Sequence, residues 1–245
     1  MIPFRDENPT RSFPIVVVGL IAANVVIFLY ELVLPRPQDQ LFMYAYGAIP
    51  ALIVGHVGRD ELVRELMARG ASFTPPDPVW LSVFTSMFLH GGLMHIGANM
   101  LYLWIFGNNV EDVLGHFRFL VFYFVCGTLA AGAQILMSLH SNVPMIGASG
   151  AIAGVLGAYY VKFPRARVRC LVFLFFFVTV AMLPASLVLL LWFLLQVLNS
   201  LNPGAMGGGG GVAVFAHIGG FLAGWALIRR FEPRRRRPVL VDWWR

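Results

Sequence analysis

Apolar runs separated by short polar, arginine-, glycine- or proline-bearing segments set the pattern of this chain. Mostly apolar stretches of about 17–25 residues cross a bilayer as helices. By that rule spans are expected near 13–34, 93–110, 117–138, 149–163, 185–201 and 213–230. One further apolar stretch, 168–183, is rich in Val, Phe and Thr and lies between Arg169 and Pro184. The outer segment between the first two spans contains Arg59 to Arg69 with helical spacing. Leu62, Leu66 and Met67 fall on one face and the charges on the other, which predicts a helix lying along the membrane surface. Tyr46 to Val57 is apolar enough to dip into the outer leaflet.

Charge placement decides how 168–183 is counted. Arg5 and Arg11 precede the first span and put the N-terminus in the cytoplasm. Six spans then leave Arg118, the cluster Lys162, Arg165, Arg167 and Arg169, and the tail Arg229, Arg230 and Arg234 to Arg237 all inside. A seventh would export that tail, so 168–183 is read as a re-entrant or interfacial segment. The expected fold class is all-α: a polytopic six-helix membrane bundle. Its parts are a cytoplasmic N-terminus at 1–12, a membrane domain at 13–231 with an outer loop at 35–92, and a basic cytoplasmic tail at 232–245.

Composition supports the membrane class. The chain is 58% hydrophobic and 12% charged over 245 residues, against roughly 25% charged in soluble domains. The formal charge of +6 resides in arginines flanking spans, so nucleic acid is not an expected partner; the bilayer is. Cys126 and Cys170 show no metal-ligand spacing and read as buried apolar residues. The apolar run Phe13 to Leu34 has bilayer length and no small-residue cleavage site after it, so it reads as a retained span. The tail arginines, with Trp243 and Trp244, read as a topology signal able to meet anionic lipid.

Against that background the polar residues inside apolar spans matter most, because such groups are costly in lipid and face a cavity or a partner. In the six-span arrangement His95 and Asn99, Ser149, and His217 all open spans running from outside to inside, and so lie at similar depth. Serine needs a base within hydrogen-bond reach, and His217 is the histidine of the last two spans. The free amide of Ser149 at a helix start is suited to receive an oxyanion. His95 and Asn99, four apart, share a helix face and bring side-chain donors to the same cavity. Gly150, Gly154 and Gly157, with Gly220 and Gly224, would let the fourth and sixth spans approach closely. No carboxylate completes a triad. Glu111 and Asp112 lie at the inner end of span two, and Glu31 reads as interfacial. His56, His116 and His140 read as loop or span-end residues.

Three motifs in order, His90-x4-His95-x3-Asn99, Gly147-Ala148-Ser149-Gly150 and Ala216-His217-Ile218-Gly219-Gly220 with Gly224 following, resemble those of the rhomboid intramembrane serine proteases. The resemblance covers about residues 80 to 230. It implies a six-helix bundle around a cavity open to the outside, Ser149 as nucleophile and His217 as base. It further implies His95, Asn99 and the Ser149 amide as oxyanion hole, and His90 as a structural residue of the outer loop. Gly147, Gly150, Gly220 and Gly224 would shape the site. The implied substrates are single-span membrane proteins cut near the outer leaflet, without metal or other cofactor, by an enzyme of a bacterial plasma membrane. Helix-weakening residues and a small side chain before the cut would favour cleavage.

Two positions depart from the family pattern. Ala153 stands where some members stack an aromatic ring on the histidine, leaving Phe215 as a substitute, and Trp80 is followed by Leu81 in place of arginine. The run Gly207 to Gly211 reads as a flexible gate or a linker. Two other function classes are consistent with parts of the pattern. One is a catalytically weak or inactive rhomboid-like protein that escorts membrane helices. The other is a transporter with a metal or proton site at His90, His95 and His217, although their spacing matches no metal motif.

Overall fold

The computed structural model describes residues 1–174, 177–201 and 213–233. The glycine run 207–211 and the tail arginines 234–237 with Trp243 and Trp244 lie outside the described residues. From the N-terminus the elements are β1 (Ile2–Asp6), α1 (Ile15–Val33), α2 (Gln38–Tyr46), α3 (Pro50–Ile53) and α4 (Arg59–Ala68). A chain of short helical turns over Val79–Phe88, including α5 (Ser82–Thr85), leads to α6 (Leu93–Tyr102). A π-helical turn, Leu103–Gly107, joins α6 to α7 (Asn108–Leu114). Then come α8 (His116–Met137), α9 (Ser149–Lys162), β2 (Arg167–Leu174), β3 (Phe177–Pro184), α10 (Ala185–Leu201) and α11 (Val214–Phe231).

The protein is a mostly helical integral membrane protein. α1 and α8 are each long and apolar enough to cross a bilayer, and Val79–Phe88 with Leu93–Leu114 forms an apolar pair bent by 84°. α1 turns Val25, Val26, Leu29 and Leu32 outward, and α10 turns out Leu190, Leu191, Leu194, Leu195 and Leu198. Such faces are stable in lipid and costly in water. The core lies where α8, α9 and α11 meet, around Tyr123, Cys126, Ala153, Leu156 and Phe221.

Glycine makes that meeting close. A Cβ on Gly224 would strike the Gly154 carbonyl oxygen, one on Gly220 the Gly150 carbonyl oxygen, and one on Gly154 the Cys126 side chain. α9 and α11 therefore pack backbone against backbone, the arrangement that small residues permit between membrane helices.

The expectation of an all-helical chain is corrected. β2 and β3 pair antiparallel, and β1 pairs with β2 to give the sheet order β1-β2-β3. Val168 and Cys170 alternate inward while Phe173, Phe177, Val178 and Val180 face out. The described residues of segment 168–183 are thus two paired strands. The β-branched and aromatic content that made it ambiguous as a helix is what a pleated surface favours. An open three-stranded sheet cannot cross a bilayer, because its edges would leave backbone groups unpaired in hydrocarbon.

The sheet sits at the C-terminal end of α9, tied down by the N-terminal segment. Tyr159 Oη and Asn109 Nδ2 each donate to Asp6 Oδ2 at 2.7 Å, and Arg169 pairs with Glu7. Glu111 and Asp112 serve the same end of the molecule. The buried Glu111 carboxylate accepts the Val16 and Val17 N–H groups at 3.0 and 2.8 Å, and Asp112 accepts the Ser12 hydroxyl at 2.6 Å. Glu111 holds the first turn of α1, where free N–H groups favour negative charge, and Asp112 holds the segment leading into it.

In the segment between α1 and α6, Leu62 and Leu66 of α4 are buried with Leu41, Ala45, Ile49 and Leu52. Met67 is 58% exposed, so the expected apolar face is narrower by one residue. Ala48 and Met145 exchange N–H···O bonds of 3.0 and 2.9 Å. This ties that segment to the loop that enters α9.

Candidate active site

The loop into α9 is fixed from two sides. Besides the Ala48–Met145 pair, the Gly147 N–H donates to the Ser86 carbonyl at 2.8 Å. Gly147 then turns the chain with φ +113°, a conformation an L side chain rarely adopts. Ser149 follows as the first residue of α9. Helix geometry leaves its N–H without an intrahelical partner.

His217 approaches from the first turn of α11. That turn is capped from α8, where Gln134 Oε1 accepts the Phe215 and Ala216 N–H groups at 3.0 and 3.3 Å. Across the α9–α11 contact, His217 Nε2 and Ser149 Oγ lie 2.8 Å apart. The other ring nitrogen, Nδ1, is 2.8 Å from Gln196 Oε1 of α10. Trp192, one turn earlier on α10, sets its ring 5.8 Å from the imidazole at 42°. The aromatic neighbour of His217 is therefore Trp192 rather than Phe215. Ala153, fully buried, lies beside Gly220 at the helix contact.

α6 closes the other side. His95 Nδ1 accepts the Gly91 N–H at 3.3 Å. Asn99 is only 6% exposed, and its Nδ2 has no partner among the described residues. A Cβ placed on Gly147 would come within 2.7 Å of His95 Nε2 and 3.6 Å of Asn99 Nδ2, so both side chains gather at the turn before Ser149. His95, Asn99, Ser149, His217, Tyr102 and Trp192 line one cavity of about 590 Å³. On the opposite side of Ser149, a cavity of about 40 Å³ is bounded by Met87, Gly127, Ala130 and Gly150.

His90 stands apart from the cavity lining. It is buried, with its ring 5.1 Å from that of His95, and its N–H donates to the Glu31 carboxylate at 3.3 Å. Glu31 is 4% exposed, so this acid is held inside the protein. It anchors the end of α1 to the turn before α6. His116 pairs with Glu111, and the rings of His56 and His140 stack at 4.4 Å between two loops.

Two polar residues at or near the site were not singled out from sequence: Gln134 and Gln196. Each is a polar group inside an apolar helix, the same signal that exposed Ser149 and His217. Among the described residues no group of three or more His, Cys, Asp or Glu side chains is arranged to hold a metal.

Fold and site together define a helical membrane protein with a serine–histidine pair in a cavity between its helices. Comparison with known proteins gives the family. The Rhomboid domain model matches residues 77–232, and the chain belongs to the rhomboid family. Human presenilin-associated rhomboid-like protein, mitochondrial, is 29% identical over 153 residues, 62% of this chain and 34% of that protein. Rhomboid protein 1, mitochondrial, of Saccharomyces cerevisiae is 37% identical over 97 residues, 38% of this chain and 28% of its own. Rhomboid protease GluP of Bacillus subtilis is 40% identical over 79 residues, 32% of this chain and 15% of the relative. The chain spans about a third or less of the length of these relatives.

Proposed function

We propose that the protein is an intramembrane serine endopeptidase that cleaves transmembrane segments of other membrane proteins by a Ser149–His217 pair. The observation that carries this reading is the 2.8 Å contact between Ser149 Oγ and His217 Nε2 in a cavity that also holds the Asn99 amide, whose Nδ2 has no partner among the described residues. Membership of a family with a named protease, GluP, supports it.

In this mechanism Ser149 Oγ attacks the scissile carbonyl carbon as its proton passes to His217 Nε2. The oxyanion is received by the Ser149 N–H, Asn99 Nδ2 and the His95 ring. Collapse breaks the C–N bond, and His217 returns the proton to the leaving amine. Water then cleaves the acyl-enzyme by the same base. The cavity of about 40 Å³ beside Ser149 suits a small side chain before the cut. A substrate helix must unwind locally to offer its carbonyl, so helix-weakening residues near the cut favour it.

The membrane arrangement belongs to the same proposal. α1, α6 with α7, α8, α9, α10 and α11 are the six spans, with 1–12 and 232–245 on the cytoplasmic side and Ser149 in the outer leaflet. Single-span proteins are the proposed substrates. Two of the relatives named above are mitochondrial and one is from a bacterium. They lend no support to a bacterial plasma membrane in particular, and the localisation proposed is an integral membrane one.

The test is covalent labelling. Purified protein in detergent is treated with a fluorophosphonate and read by intact mass, alongside Ser149→Ala and His217→Ala. An adduct on the wild type and on neither variant is expected. A folded wild type that stays unlabelled would overturn the proposal.

A further inference from the structure

We infer that Gln196 is the positioning residue for His217, standing where a serine triad would place a carboxylate. The inference rests on the hydrolase reading above and names what orients its base.

For Nε2 to take the Ser149 proton it must present a lone pair, so the hydrogen of neutral imidazole must sit on Nδ1. At 2.8 Å from Nδ1 lies Gln196 Oε1, an oxygen that accepts a proton and offers none. Its amide oxygen selects the tautomer in which Nδ1–H donates and Nε2 is free. When Nε2 gains the serine proton, the same oxygen stabilises the cation through the Nδ1–H bond. This is the work of the acid in a serine triad, done by a neutral group whose burial in the membrane costs less than a charge would.

The setting of Gln196 supports a positioning role. It lies four residues after Trp192 on α10, so both share one face, and that face meets His217. Phe193 packs its ring 4.7 Å from Phe221 of α11 and holds the two helices together. Leu190, Leu191, Leu194, Leu195 and Leu198 of the same helix face outward. A glutamine held against a histidine among these leucines is a local exception, and His217 is its side-chain partner among the described residues. Ala153, where an aromatic ring would otherwise steady the histidine, is compensated from α10 by an amide and an indole.

Two readouts test the inference. The first is histidine-selective ¹⁵N NMR of the full chain in detergent, with His217 signals identified by their loss in His217→Gln. The wild type should show the Nδ1–H tautomer and Gln196→Met a mixture. The second is the fluorophosphonate labelling rate of Ser149 against pH. Gln196→Met should slow it about 10- to 100-fold, the scale of one hydrogen bond to a charged group. Gln196→Glu should restore the plateau rate to within a few-fold and move the acid-side limb to higher pH, because a carboxylate holds the imidazolium more tightly. An Nε2–H tautomer in the wild type would overturn the inference. So would a wild-type rate and pH profile in Gln196→Met, or an unshifted limb in Gln196→Glu. If the wild type does not label, the hydrolase reading fails while the NMR still decides the role of Gln196.

Discussion

At Gly147 the backbone takes φ +113°, and a Cβ there would crowd His95 Nε2 at 2.7 Å. A side chain at such a φ costs roughly 1–2 kcal/mol, and the clash would push His95 from the cavity. Gly147→Ala is therefore expected to fold with a lowered melting temperature and to label at Ser149 at least 10-fold more slowly, about the rate change carried by 1.4 kcal/mol. Wild-type labelling would show that the turn can shift without moving the site. At this scale Ser149, His217, His95 and Asn99 stood out in the sequence because each interrupts an apolar run. Gln134 and Gln196 interrupt apolar runs too. An amide is neither nucleophile, base nor acid, and unlike Asn99 neither glutamine shares a helix face with a candidate histidine, so the partner of each shows only in the fold. Glu31 was read from its place at a span end. Its burial depends on the turn before α6 folding over it, a contact 59 residues away in the chain.

The helices were legible as elements, since their boundaries follow apolar runs that stop at Arg, Gly or Pro. α1, α8, α10 and α11 fall within a few residues of the expected spans. The sheet was not legible. Its strand β2 carries an alternating signal, Arg167-Val168-Arg169-Cys170, but the strand that completes the sheet comes from Ile2–Asp6. Pairing so distant in sequence leaves no local trace. That strand also creates a pH dependence. Burial, acting against the Tyr159 hydrogen bond, raises the Asp6 carboxyl above its ordinary value of 3.8. The folded state then holds a proton the unfolded chain has released, so stability falls as pH rises from 3.8 through the raised value. Asn in place of Asp6 keeps an oxygen for Tyr159 and Asn109 without the charge. Thermal unfolding of Asp6→Asn and wild type across this range should show a gap opening in favour of the variant as pH rises. A gap independent of pH would contradict the assignment.

Over the whole molecule, the site lies at one end of the α9–α11 contact and the sheet at the other. The backbone approach permitted by Gly150, Gly154, Gly220 and Gly224 joins the helix that begins with Ser149 to the one that carries His217. In the proposed topology one orientation of the bundle puts the sheet end in the cytoplasm and the site in the outer leaflet. The most direct test of the whole account is proteolysis in a bilayer. Wild type, Ser149→Ala and His217→Ala would be reconstituted in liposomes with a single-span reporter. The reporter would carry a small residue and a following Gly-Pro near its outer end, and the products would be mapped by mass. The account predicts one cut after the small residue, near the outer face, by wild type alone. Equal cleavage by Ser149→Ala, or a cut at the cytoplasmic end of the span, would contradict it.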